Sequence, residues 1–152
     1  MSLQQQIQAD LTAAMKARDR ERTSALRMIV AEMKNEAVAQ GLGPQGELPD
    51  EAVERILTRE TKRRREAADS FRDAGREDRA ASEESDAEVY ASYLPEQLGD
   101  DELLELIDAA ITEVGPEGPG DMGKVMGAVM GHVGNRADGK RVSAAVKSRL
   151  MD

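Results

Sequence analysis

The sequence predicts an all-α protein, with an N-terminal domain of long antiparallel helices over residues 1–95 and a small three-helix C-terminal bundle over residues 96–152. Three observations carry this. Apolar residues recur at spacings of three and four along most of the chain, the period of an amphipathic helix. Aromatic residues make up only 2% of the sequence (Phe71, Tyr90, Tyr93), so the core must be built from Leu, Ile, Val, Met and Ala. That palette suits helices packed on helices and disfavours a β-sandwich or barrel. Finally, Tyr93-Leu94-Pro95 interrupts the helical pattern, because proline lacks an amide hydrogen and biases the residue before it away from helix. The domain boundary is placed there.

Each element follows from local chemistry. Leu3, Ile7, Leu11 and Met15 recur every four residues behind Ser2, a good N-cap, and predict a first helix over 2–17. A second, near 19–40, starts at Asp19, carries Leu26, Ile29, Val30, Met33 and Ala37 on one stripe and ends at Gly41. Residues 41–49 are crowded with Gly and Pro and are expected to form a flexible connection, the most mobile stretch of the chain. From Asp50 a long helix with Val53, Ile56, Leu57, Ala67 and Phe71 runs to about Ala74, where Gly75 stops it. Another follows from about Asp78 to Tyr93.

Beyond Pro95, one helix is marked by Leu103, Leu104, Ile107, Ala110, Ile111 and Val114. A second carries Met122, Val125, Met126, Val129, Met130 and Val133, and a third Val142, Ala145, Val146 and Leu150. The run Gly115-Pro116-Glu117-Gly118-Pro119-Gly120 separates the first two, and Asp121 is placed to cap the second. A unit this short is expected to be marginal alone and to dock on the long helices before it.

Composition narrows function. The 152 residues are 39% apolar with a net charge of −9, a balance that suits a folded protein and argues against non-specific coating of nucleic acid. The charge is uneven, however. Every charged residue from 96 to 121 is acidic, whereas after it Lys124, Arg136, Lys140, Arg141, Lys147 and Arg149 outnumber Asp138 and Asp152. Cysteine is absent, which removes disulfides, thiolate metal sites and thiol nucleophiles together. The first six residues lack the basic and apolar regions of a signal peptide, and no apolar run approaches the ~20 residues of a spanning helix. The expected location is the cytoplasm.

No catalytic residue, metal site or cofactor is expected. His132 is the single histidine, has no serine near it in sequence, and reads as a solvent-facing or packing residue rather than a general base. The acids fall at helix starts or on polar faces, where solvation explains them, and there is no phosphate-binding loop or dinucleotide fingerprint.

Two features point to recognition instead. Lys62-Arg63-Arg64-Arg65 wraps four positive charges around the third helix. Glu60, Glu66 and Asp69 stand three or four residues away, so this is either a self-neutralised face or an RNA phosphate contact. Gly123, Gly127 and Gly131 recur every four residues on one side of a helix, although each glycine costs about 1 kcal/mol of helix stability relative to alanine. Either a neighbouring helix approaches closely there, or a bare surface lies against an RNA backbone or a protein partner. The amides at the start of this helix, with Lys124, form a candidate anion site, and Lys140 and Lys147 extend the positive excess.

Taken in order, Ala14-Met15-Lys16 before Asp19, Leu26-Arg27, Met33-Lys34-Asn35, Lys62-Arg63-Arg64, Gly75-Arg76, Tyr93-Leu94-Pro95-Glu96-Gln97-Leu98, Asp121-Met122-Gly123-Lys124-Val125-Met126-Gly127 and Ala137-Asp138-Gly139-Lys140 resemble the GatB/YqeY family over nearly the whole chain. The resemblance includes the tail of the GatB subunit of tRNA-dependent amidotransferases. It implies a helical N-terminal domain and a three-helix C-terminal one, and a module that binds tRNA or an aminoacyl-tRNA-handling complex. In the amidotransferase that tail helps hold tRNA while the amide-forming and glutamine-hydrolysing sites lie elsewhere. A family-level label of carbon-nitrogen ligase with glutamine as amide donor follows, without an activity of this chain. The alternative is a protein-interaction adaptor whose glycine-lined helix and acidic segment, with Asp100, Asp101 and Glu102, dock a protein partner. Pro49 and Gly99 stand where the family often has a capping Ser or Thr, so Asp50 and Asp100 are expected to take over capping.

Overall fold

A computed structural model describes residues 1–115, 119–134 and 136–151. Residues 116–118 of the expected Gly/Pro separator, residue 135 and the terminal Asp152 lie outside the described residues. Among these there are seven α-helices, one 3₁₀ turn at Pro119–Asp121, and no strand. The helices are α1 (Leu3–Lys16), α2 (Arg20–Ala39), α3 (Asp50–Asp73), α4 (Glu77–Ala91), α5 (Asp100–Val114), α6 (Met122–Val133) and α7 (Gly139–Met151). They group into two compact units, Met1–Leu94 and Pro95–Asp152.

Capping sets the first two helices. The Ser2 hydroxyl accepts from Gln5 N while the Gln5 side chain accepts from Ser2 N, a reciprocal capping box. Asp19 caps α2 through Arg22 N at 3.1 Å. The expected substitutes at the next starts behave otherwise. Neither Pro49 nor Gly99 makes a side-chain cap. Asp50 instead accepts from Leu3 N at the start of α1, and Asp100 pairs with Arg141 at 2.6 Å. Their carboxylates still lie in the first turns of α3 and α5, where negative charge favours the helix dipole.

Three helices of the first unit end in the same motif. After α2, Leu42 N donates to Ala37 O and Gly41 N to Val38 O; after α3, Arg76 N donates to Phe71 O and Gly75 N to Arg72 O. Both turns place a glycine at positive φ, +77° for Gly41 and +75° for Gly75, the left-handed position of a Schellman stop. After α1 the same pair of bonds forms, Asp19 N to Ala14 O and Arg18 N to Met15 O, but the left-handed residue is Arg18 at φ +59°. A side chain in that conformation costs roughly 1 kcal/mol or more.

The core of the first unit gathers Ile7 and Ala14 from α1, Leu26, Ile29 and Met33 from α2, Val53, Ile56 and Leu57 from α3, and Tyr90 from α4. Tyr90 is fully buried and its hydroxyl donates to Ala25 O at 2.8 Å. Tyr93, one turn on, donates to Asp10 Oδ2 at 2.5 Å. Met15, read as part of the α1 stripe, is 49% exposed, and Ala14 is buried in its place. A spacing of four turns the row 40° per step, so by its fourth member it has rotated off the core. The connection over 41–49 is likewise not uniformly loose. Leu48 is buried and its amide donates to Gln4 Oε1 at 2.7 Å, while Gln4 Nε2 reaches Gly46 O.

The distal halves of α3 and α4 share only alanines as fully buried apolar residues, Ala68, Ala80 and Ala87. Ionic contacts line the rest of this hairpin: Arg64 to Glu83 at 3.3 Å, and Arg72 to Glu77 at 3.1 Å and Glu84 at 2.8 Å. Phe71, one of the apolar markers of α3, is half-buried and lies under the Arg79 guanidinium, 5.2 Å from its ring centre.

In the second unit Leu103, Ile107 and Ala110 of α5 pack with Val125, Val129 and Val133 of α6 and Val142 and Val146 of α7. The methionines at 122, 126 and 130 flank this core half-buried. Asp121 makes no side-chain cap to α6 and lies 3.9 Å from Lys124.

Burial pushes the ionisation of Tyr90 and Tyr93 well above the ordinary tyrosine value of 10.0, and the Asp10 hydrogen bond adds to the shift at Tyr93. A raised folded-state pKa gives stability that is complete below 10 and lost as pH climbs above it, because the unfolded chain ionises first. Denaturant unfolding followed on either side of pH 10 should show this loss, and Tyr93→Phe should make it shallower. At neutral pH, Tyr90→Phe should lower stability by about 1 kcal/mol, from the lost bond to Ala25 O.

Candidate functional site

The α6 surface is set by one offset. Val125, Val129 and Val133 face the core, and Gly123, Gly127 and Gly131 precede them by two residues each, about 200° around the helix. The glycines therefore occupy the opposite, solvent-exposed side. A Cβ built on any of the three meets no atom of the described residues within 4 Å. Close approach of a neighbouring helix is thus not what these glycines serve. Lys124 stands beside them with its side chain 75% exposed. The Asp121 carboxylate at the same helix start offsets the amides and the lysine read as an anion site.

The positive excess after Met122 divides into two groups. Arg141 and Arg149 pair with the α5 acids Asp100 (2.6 Å) and Asp108 (3.1 Å), and Arg136 closes the end of α6 by donating to His132 O at 2.7 Å. Lys140 and Lys147, seven residues apart on one side of α7, are exposed and form no ion pair with the described residues. His132 itself is exposed.

On α3 the basic run also separates. Glu60 is only 3% exposed, and Arg63 (2.9 Å), Arg59 (3.6 Å) and Arg64 (3.8 Å) surround its carboxylate. Arg64 also reaches Glu83, so Arg63 and Arg64 stabilise a buried acid, as a self-neutralised face requires. Lys62 and Arg65 are exposed without an ion pair to the described residues. The structure does not bring the α3 cluster together with the α6 glycines into one unit: Lys62, Arg63 and Arg64 belong to the first and Gly123, Lys124, Gly127, Gly131, Lys140 and Lys147 to the second.

One feature escaped the sequence reading. At the α1–α2 turn an open cleft of about 470 Å³ is lined by Met15, Arg18, Asp19, Arg20, Ser24 and Arg27. Its sequence signal was the absence of glycine from a tight helix–helix turn, with Arg-Asp-Arg in its place. Among the described residues no three His, Cys, Asp or Glu side chains gather as a metal site would need, and no helix is long and apolar enough to cross a membrane.

The class this defines is a small all-helical protein whose distinctive residues form bare or charged surfaces. Over residues 4–150 it matches the YqeY-like protein family, and the chain belongs to that family. It is also similar to Altered inheritance of mitochondria protein 41, mitochondrial, from Pyrenophora tritici-repentis (strain Pt-1C-BFP), with 30% identity over 145 residues, covering 93% of this chain and 77% of that protein.

Because the glycine row faces open space, Gly127→Ala should raise stability by about 1 kcal/mol through helix propensity. Thermal unfolding checks this, and a loss of stability would return the row to a packing role.

Proposed function

We propose that this protein is a tRNA-binding module with no catalytic step of its own, and that its second unit, a three-helix bundle akin to the amidotransferase tail, carries the contact. The observation that supports this is the solvent-exposed row Gly123, Gly127 and Gly131, which lets a backbone approach α6 unhindered by side chains. Lys124, Lys140 and Lys147 supply phosphate contacts around it, with Lys62 and Arg65 of α3, exposed and without an ion pair to the described residues, as a secondary basic surface. The arginines that α5 already neutralises take no part. The cytoplasm is the proposed setting, consistent with the cysteine-free sequence.

Purified protein titrated with total tRNA at rising salt tests this. With about three phosphates neutralised, log affinity should fall against log salt with a slope of roughly −2 to −3. Lys147→Glu should weaken binding and flatten that slope. Gly127→Ala should weaken binding while stabilising the fold, a combination that a merely structural glycine does not give. Absence of binding at low salt would overturn the RNA reading and leave the protein-adaptor function, with the acids of α5 as its docking surface.

A further inference from the structure

The cleft at the α1–α2 turn lies in the first unit, whereas the main surface proposed to hold RNA belongs to the second, and a different set of observations bears on it. Of the arginines in this unit, Arg22, Arg59, Arg63, Arg64, Arg72 and Arg76 are engaged by carboxylates, while Arg55, Arg65 and Arg79, spread along α3 and α4, form no ion pair with the described residues. Arg18, Arg20 and Arg27, which line the cleft, form no ion pair with the described residues. The carboxylate among them, Asp19, already accepts from Arg22 N as the cap of α2. Three guanidinium groups against one acid leave an excess of two positive charges around a space of about 470 Å³, within the size range of small-ligand pockets.

Arg18 adds a backbone argument. The two other Schellman turns of this unit use glycine at the left-handed position, and this one places an arginine there at φ +59°. Glycine would make the turn with less strain, so the turn itself does not call for the arginine. What the substitution provides is a guanidinium among the groups that line the cleft, together with Ser24 and Arg27 of α2. Thr23, also lining the cleft, is buried. A planar fork of donors repeated three times suits phosphate oxygens, which accept bidentate bonds.

We infer that this cleft binds a small phosphorylated ligand carrying two or more negative charges, a phosphomonoester or diphosphate, held by Arg18, Arg20 and Arg27 with Ser24 as a neutral donor.

Titration of the full chain with inorganic phosphate and with pyrophosphate, followed by amide chemical shifts, tests the site. Saturable shifts centred on residues 15–27 are expected, tighter for pyrophosphate. Arg18→Gly should weaken pyrophosphate binding about tenfold, the value of one charge-assisted pair, while the fold stays as stable as before or gains. Arg27→Gln should weaken it comparably, and Lys147→Glu should leave it unchanged, which separates this site from the RNA surface. Absence of saturation, shifts centred on Lys140 and Lys147, or an affinity that neither arginine variant moves would each overturn the proposal. So would engagement of these residues by total tRNA with none by pyrophosphate, which would assign the arginines to a nucleic-acid backbone instead.

Discussion

Tyr90 is the largest side chain to be wholly withdrawn from water in this protein, and in a chain with so few aromatics it takes on an uncommon share of the packing. Its ring, at the end of α4, belongs to the core that α1, α2 and α3 supply with their buried side chains. Its hydroxyl is tolerable there only because Ala25 O accepts the proton. One bond thereby fixes where α4 ends against α2. Since α3 and α4 form a hairpin, it also fixes how that hairpin stands on the first two helices. Tyr93 repeats the device at the surface, fastening the end of α4 to Asp10 of α1.

From that anchorage the hairpin changes character along its length. Near Tyr90 its partners are Val53, Ile56 and Leu57; farther out, alanines and ion pairs replace them. The buried Glu60 marks the transition, ringed by arginines that would otherwise constitute a basic patch. A charged carboxylate at this depth is stable only while compensated, so the cluster at 62–65 is partly committed to structure. The same division holds in the second unit, where α5 acids hold Arg141 and Arg149 and leave Lys140 and Lys147 to solvent.

Local features were legible in the sequence and long-range ones were not. Ser2, Asp19, Gly41 and Gly75 mark helix ends because caps and left-handed stops depend on residues within one turn of themselves. The pairing of Arg63 with Glu60 is legible for the same reason. That of Arg64 with Glu83 is not, since it exists only once α4 folds back. Met15 and Phe71 fall on the apolar stripes of α1 and α3 but outside the fully buried core, because periodicity reports a stripe and not where the stripe loses its partner. The glycine row remained ambiguous until the valines were known to be the buried face. The Arg18 cleft was missed because a motif without glycine does not announce a glycine-type turn.

The exposed glycines of α6 carry a further consequence. Three of them lower the intrinsic helicity of a 12-residue segment by about 3 kcal/mol relative to alanine, and a helix of that length is marginal in water even without them. Val125, Val129 and Val133 therefore hold α6 in shape from one side only. In hydrogen exchange its amides should be among the earliest of the second unit to give up their protons, through local opening rather than global unfolding. Anything that grips the glycine face would slow that exchange, so occupancy would be readable in the amide lifetimes of this one helix.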